Sequence, residues 1–468
     1  MSQQIPLKNL DNDVVEYDLY QKRTKIYTRR IQGFFQSIRT KILWVLMAGY
    51  FLTPWINLGD RQAVFFDLPS RQFHIFNVTY WPQDFVLLAW LLIIAAFALF
   101  LMTTLFGRVW CGYTCPQTVW TMVFMWIEEK TEGNRNQRIK LDKEPMSRSK
   151  FIKKFNKHAL WVLFSALTGL SFVGYFTPVR ELIIDLFVLD ANMWAYFWIG
   201  FFTGATYLFA GWMREQVCSF MCPYARFQSV MFDTNTLVIS YDEKRGENRG
   251  KRKRRADLKE LNLGDCIDCN QCVHVCPAGI DIRDGLQFQC IGCALCVDAC
   301  DSVMEKMNYP KGLISYTTEN SLEGKKTKVW RPKSIGYAIA LLIMVISFGF
   351  IATDREALGL DVLKDRNRLY NTTPSGMIEN IYTIKVMNMD QKDHTFKLTV
   401  EGLEGIKVIG RKKIYVTSGE VRSIPLAIQV PPHVLKVQKN KISFTINSID
   451  ADFEASKTTE SRFLGPVN

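Results

Sequence analysis

Long apolar runs separated by charged segments fill the first three quarters of the chain, and short stretches of alternating apolar and polar positions fill the last quarter. Five runs approach the roughly 20 apolar residues that a helix needs to cross a bilayer, at 42–58, 85–106, 159–177, 193–213 and 335–352. The run at 85–106 holds no charge, whereas that at 42–58 is the shortest and the most interrupted. A buried core helix is the alternative for each, and it is weakest for 85–106. Residues 1–41 predict a polar tail and then an amphipathic juxtamembrane helix, with Ile26, Ile31, Phe34, Phe35 and Ile38 interleaved with Lys and Arg. No secretory leader is expected, because the first forty residues are polar and no small-residue cleavage site follows. The first run then reads as a retained anchor.

Downstream of the fifth run, segments at 381–387, 395–400, 413–416, 422–430, 441–446 and 453–457 alternate with period two between Gly, Pro and Asn/Asp signals. Six or seven such strands predict an immunoglobulin-type sandwich. The charged stretch 354–370 predicts a short helical connector ahead of it, and two alternating pieces within 59–84 predict a hairpin.

The net charge of +13 raises nucleic acid as a partner, but its distribution argues against that. Eight Lys or Arg precede the first run, two occupy the following loop (Arg61 and Arg71), eleven lie between 107 and 158, and Arg180 stands alone before the fourth run. This alternation follows the positive-inside rule and predicts a cytoplasmic N-terminus, cytoplasmic second and fourth loops, and an outward C-terminal domain. The basic stretch 244–255 is then expected beside anionic lipid headgroups, with no nucleic acid involved.

All twelve cysteines fall in segments assigned to the cytoplasmic side, which disfavours disulfides. Eight of them are written Cys266-x2-Cys269-x2-Cys272-x3-Cys276-Pro277 and Cys290-x2-Cys293-x2-Cys296-x3-Cys300. That spacing is the ligand set of two [4Fe–4S] clusters, the fourth cysteine of each run serving the other run's cluster. One cluster is assigned to Cys266, Cys269, Cys272 and Cys300, and the second to Cys290, Cys293, Cys296 and Cys276. A zinc site would need paired spacing, and a disulfide framework an oxidising compartment. Gly279 and Gly292 supply turns, and Asp301 replaces the second proline.

The other four cysteines form a repeat. Cys111-x3-Cys115-Pro116 follows the second apolar run and Cys218-x3-Cys222-Pro223 follows the fourth, each succeeded by an amphipathic stretch. Two like hairpins are expected side by side with their thiols at matching depth. Cysteines four apart face one way on a helix, so either pair could clip one soft metal and all four could converge. Thiolates favour Cu(I), with Met122, Met125, Met213 and Met221 as weaker candidates that equally well fill a membrane interface. No Walker loop, Rossmann fingerprint or haem-attachment motif identifies an electron donor.

The strings VWCGYTCPQTVW (109–120), VCSFMCPYARFQSVM (217–231), CPAGIDIRDGLQFQCIGCALCVDACDSVMEKM (276–307) and GDRQAVFFDLPSRQF (59–73) resemble those of the cytochrome c oxidase accessory proteins of the CcoG/FixG/RdxA type, and the resemblance covers nearly the whole chain. It implies a multi-domain protein of the bacterial inner membrane: a five-helix transmembrane bundle, a cytoplasmic ferredoxin-like α+β domain with two [4Fe–4S] clusters, and a periplasmic all-β immunoglobulin-like sandwich. The expected boundaries are 1–41, 42–232, 233–334, 335–352 and 353–468. The resemblance further implies a reductase that turns Cu(II) into Cu(I) for cbb3-type oxidase assembly, with Cys111, Cys115, Cys218 and Cys222 as candidates to bind or reduce copper. Its expected partners are oxidase subunits, or a copper transporter or chaperone. A polyferredoxin conduit from quinol to a respiratory partner and a non-enzymatic assembly scaffold are the alternatives.

Overall fold

The computed structural model describes residues 8–9, 15–16, 25–59, 61–254, 261–353, 357–365, 368–390, 392–435, 437–450 and 453–466. The chain forms two compact units, Met1–Ile346 and Ser347–Asn468.

The second unit is a sandwich of two antiparallel sheets. One is ordered Leu358–Lys364, Ile378–Asn388, Val421–Val430, Lys407–Ile409, with Asn371–Thr372 also pairing to Ile378–Asn388. The other is ordered Lys413–Val416, His394–Glu401, Lys439–Ser448, Ser456–Leu464. Period-two alternation puts Tyr382, Ile384 and Val386 inward from one sheet and Phe396, Phe444 and Ile446 inward from the other. Three expectations need correction. The predicted helical connector at 354–370 contains the strand Leu358–Lys364, whose first three residues are buried; positions 354–356, 366 and 367 lie outside the described residues. The last strand is Ser456–Leu464 rather than 453–457, because it is an edge whose one fully buried side chain is Phe463. The short strand Lys407–Ile409 carries too little pattern to be read from sequence.

Each of the five apolar runs is mostly helical, yet among the described residues only Phe85–Phe106 and Pro332–Thr353 are single helices long and apolar enough to cross a membrane. The expected five-helix transmembrane bundle is therefore not what the described residues display. Run 42–58 belongs to Phe34–Leu52, which opens with Arg39 and Lys41. Run 159–177 is the second half of Arg148–Val173, whose first half is basic. Run 193–213 changes from α-helix, Met193–Thr206, to a π-helical segment, Tyr207–Met213. The separate amphipathic helix expected before the first run is absent from the described residues, since 25–32 has no regular secondary structure and the helix starts at Phe34. The predicted hairpin at 59–84 is a three-stranded meander, Val64–Asp67, Gln72–Ile75 and Val78–Tyr80.

The cysteine-rich part is built on an antiparallel pair, Val238–Tyr241 with Ile314–Thr317, and the helices Gln271–Val275 and Leu295–Met307. It docks on the helix Phe34–Leu52, whose N-terminus has no capping side chain of its own. Asp298 supplies the cap from Leu295–Met307, accepting from the Phe35 and Gln36 N–H groups at 3.2 and 2.8 Å. A carboxylate at a helix N-terminus satisfies orphan donors and opposes the dipole. A Cβ on Gly33 would fall 2.2 Å from the Asp298 carboxyl carbon, so the close approach requires glycine there.

Two buried carboxylates brace the other side of this unit. Glu128 binds Arg138 at 3.0 Å and Arg214 at 3.1 Å, and Glu132 binds Lys154 and Lys157 at 2.9 Å each. Burial alone would raise the Glu128 carboxyl, but Arg214, Arg138 and Lys25 outweigh it and hold it below the ordinary carboxylate value. A depressed folded value contributes stability above the unfolded carboxylate pKa of about 4.3 and loses it as pH falls through the folded value. Thermal melts of the full-length protein are therefore expected to show a falling midpoint as pH drops below about 5. Glu128→Gln is expected to lower stability at neutral pH by about 3–5 kcal/mol, because two guanidinium groups are left without their carboxylate, and to flatten that acid limb. An Asp298→Ala variant is expected to cost about 1 kcal/mol, read by the same melts.

Candidate metal centres

Each cysteine run bends by repeating one backbone device. Asp268 and Asn270 flank Cys269 with φ of 52° and 56°, and Gly292 and Ala294 flank Cys293 with φ of 67° and 57°. These left-handed turns swing three cysteines to one side before a helix begins at Gln271 or Leu295. Gly279, at φ 69°, performs the turn after Cys276-Pro277 as the sequence suggested. The non-glycine left-handed positions were missed, because Asp, Asn and Ala do not announce them.

The runs close around two voids. Cys266, Cys269, Cys272 and Cys300 line one; Cys276, Cys290, Cys293 and Cys296 line the other, with Cys272 also on its wall. This is the exchanged grouping expected from spacing. Burial pushes the Cys272, Cys276 and Cys300 thiols up to about 12, and Cys290 up to about 11. Such thiols ionise only if a cation occupies the void, so the donor set fits a soft, multiply charged cluster and would release protons on loading. Backbone N–H groups of Ile280 and Ala278 face the Cys276 sulfur, and that of Gly292 faces Cys290, as ligands of a tuned cluster require. Both voids have apolar walls: Ile267, Val303, Leu313 and Ile314 line the first, and Ile239, Ile280, Ile282, Ile291 and Leu295 the second; the first differs in having Arg283, held by Asp281, Asp268 and Asn270, on its wall. Asp301 accepts from the Gly312 N–H at 2.9 Å, so the missing proline is replaced by a loop anchor.

The Cys-x3-Cys pairs share one local design that differs from the expected single helix. Cys111 sits in the short helix Val109–Tyr113, and Cys115 is the residue before Pro116–Glu132. Cys218 sits in the π-helical turn Val217–Met221, and Cys222 precedes Pro223–Met231. In each, proline opens the second helix, where its missing N–H costs nothing. The hairpins meet: the Cys111 thiol donates to Gln228 of the second helix at 3.4 Å, and Cys111 and Cys115 each feel the charge of Cys218 or Cys222. Burial first, and Cys115 second, push Cys111 up to about 12, while burial pushes Cys218 up to about 11. Among the described residues no three His, Cys, Asp or Glu side chains close around one ion, so the four thiols sharing a single metal is not seen. Met221 is exposed, and Met122 and Met125 line a large cavity that Cys218 also reaches.

Hairpins and cages are packed directly together. A Cβ on Gly112, beside Cys111, would lie 2.9 Å from Cys293 Cα and from the Gly292 and Ile291 carbonyl oxygens. Only glycine permits that contact. Arg108, buried, donates to the carbonyls of Phe288 and Cys290 in the second cage loop and of Ala225 in the second hairpin. Arg39 donates to the Gly112 carbonyl at 3.0 Å, and Tyr316 to that of Gly292. Sequence reasoning missed Arg108, Arg39, Gln228 and Tyr316. Arg108 stands three residues before Cys111, and Gln228 six after Cys222, so proximity to the motifs was the available signal.

Comparison with known proteins agrees with this geometry. Family models match in three places: a 4Fe-4S binding domain at 88–131, a 4Fe-4S dicluster domain at 213–319, and the IG-like fold at the C-terminus of FixG at 348–466. The chain is 40% identical over 453 residues to the nitrogen fixation protein FixG of Rhizobium meliloti, covering 88% of this chain and 85% of that one. It is 40% identical over 404 residues to the protein RdxA of Cereibacter sphaeroides, covering 83% and 85%. A crystal structure of a FixG-related protein from Vibrio parahaemolyticus matches at 33% identity with a TM-score of 0.22, covering 24% of this chain and 97% of that one. With a FixG-type C-terminal domain, iron–sulfur modules and 40% identity along most of its length, the chain belongs to the FixG/RdxA family of iron–sulfur oxidoreductase-like proteins.

Proposed function

We propose that the protein is a membrane-bound iron–sulfur reductase that converts Cu(II) to Cu(I) for the assembly of a cbb3-type oxidase. The observation that carries this reading is the close approach of Gly112 to Cys293, which sets the Cys111 thiol beside the second cage and opposite the second thiol pair. Bound in the cages, two [4Fe–4S] clusters supply single electrons. The chain's own groups do the rest. Cys111 and Cys115 from one hairpin, and Cys218 and Cys222 from the other, offer soft donors to copper at one depth. Gln228 accepts the Cys111 proton in the hydrogen bond and orients that sulfur. Because burial keeps these thiols protonated, copper binding displaces protons, and thiolate donors favour the product Cu(I) over Cu(II). Arg108 fixes the spacing between hairpins and cage by holding three carbonyls.

In this reading the chain crosses the bacterial inner membrane several times. The alternation of Lys and Arg supports a cytoplasmic N-terminus and cage domain and a periplasmic sandwich. Copper is then reduced at the cytoplasmic edge and handed to a separate transporter or chaperone, or to oxidase subunits. Two Cys-x3-Cys-Pro pairs beside paired cages also fit a conduit that passes electrons to a respiratory partner, and Cu(II) reduction by the purified protein separates the two readings.

Purified protein with Cys111 and Cys115 both changed to Ser is expected to lose Cu(II) reduction while keeping its iron–sulfur absorbance; unchanged reduction would remove that pair from the mechanism. Arg108→Lys keeps one charge but cannot reach three carbonyls. It is expected to slow Cu(II) reduction about 10–100-fold through misplacement of the thiols and to alter the electron paramagnetic resonance line shape of the second cluster, a change that a general loss of protein would not produce. Oxidase assembly that persists after loss of both Cys266 and Cys290 would instead favour the scaffold.

A further inference from the structure

A cavity of about 1130 Å³ lies within the first unit, and the chemistry above does not use it. One end is apolar, lined by Leu43, Trp44, Met47, Leu160, Leu163 and Leu167 from the helices Phe34–Leu52 and Arg148–Val173. The other end is polar and offers both donors and acceptors, among them Gln36, Gln117, Glu129 and Glu215. Cys218 reaches the same space. Ala278, Ile291 and Leu295 line this cavity and the second cysteine cage alike, so a single layer of side chains separates the two.

An amphipathic void of this kind accepts a head with hydrogen-bonding oxygens and a long hydrocarbon tail. Two observations choose among such molecules. The guanidinium groups lining the cavity are engaged with the protein: Arg29 with Gln271, Arg30 with Glu129, Arg39 with the Gly112 carbonyl, Arg214 and Arg138 with Glu128, and Arg135 with the Tyr27 carbonyl; Lys130 lines the same wall. With carboxylates standing beside them, the end suits a neutral head better than a phosphate. The one-residue wall against a redox cage has no use for an inert lipid, but it brings an electron-carrying one within transfer range.

We infer that this cavity binds a membrane quinol as the electron donor, an inference that rests on the electron-transfer reading above. Oxidation of one quinol to quinone breaks two O–H bonds, delivers two protons to carboxylates such as Glu129 and Glu215 and releases two electrons, one for each of the two cages. The headgroup sits toward Gln36 and Gln117, and the tail lies along Leu43, Trp44 and Leu163.

The test is photolabelling of the full-length protein in detergent with an azido-quinone bearing an isoprenoid tail, followed by mass-spectrometric mapping. Label is expected on peptides containing Trp44 or Leu163, and saturating unlabelled quinol is expected to suppress it about tenfold. Leu163→Trp, which fills the tail end, is expected to suppress it similarly. Leu92→Trp, on the exposed face of Phe85–Phe106 and outside the cavity, is expected to label normally. Label elsewhere, or suppression by anionic phospholipid as strong as by quinol, overturns the inference. Should Leu163→Trp lose its iron–sulfur absorbance through misfolding, the competition arm on the unaltered protein decides. Cu(II) reduction by protein that has been prereduced and then freed of excess dithionite bypasses the quinol, so its absence from the unaltered protein would sink the copper reading without touching the labelling result.

Discussion

One guanidinium holds the working part of this molecule together. Arg108 leaves the end of the most apolar helix, turns inward, and donates to carbonyls of the second cage loop and of the second thiol hairpin. A buried arginine bonded to carbonyl oxygens is stable only while all of its partners stay in place, because each freed N–H costs a desolvated donor. The arrangement therefore behaves as a lock: cage, first hairpin and second hairpin are registered against one another or the charge is stranded. Gly112 completes the lock from the other direction, since its lack of a side chain allows the backbone beside Cys111 to rest on the Cys293 loop.

The cages themselves are made by local chain geometry and protected by apolar walls. Paired left-handed residues around Cys269 and Cys293 give the two runs the same turn, and the helices that follow exchange the fourth ligand. Their walls are alike in being lined by branched aliphatic side chains, and they differ in the ion-paired Arg283 at the first.

How much of this was readable depended on how far apart the partners lie in sequence. Cysteine spacing is local, and it predicted which four sulfurs share each void. Period-two patterning in the C-terminal unit was equally local, and five of its strands were placed close to their observed bounds, whereas the edge strand Ser456–Leu464 slipped because it buries little. The apolar runs were found, but five spans were too many: the helices Phe34–Leu52 and Arg148–Val173 spend their polar ends on buried contacts such as Arg39 with Gly112 and Lys157 with Glu132. The pairing of hairpin with cage joins Arg108 to Phe288 and Cys290 across some 180 residues, and no spacing rule reaches that distance. Hence each thiol pair was expected on one helix face, whereas both pairs stand at helix junctions facing each other.

In the proposed function, electrons held in the cages pass to copper at the facing thiols. Rapid-freeze electron paramagnetic resonance tests it most directly: the prereduced protein is mixed with one equivalent of Cu(II), and both signals are followed in the same samples. The prediction is that the Cu(II) signal and the reduced-cluster signal decay together in the unaltered protein, while both persist when Cys111, Cys115, Cys218 and Cys222 are all replaced by Ser. Equal decay in the two proteins would contradict it.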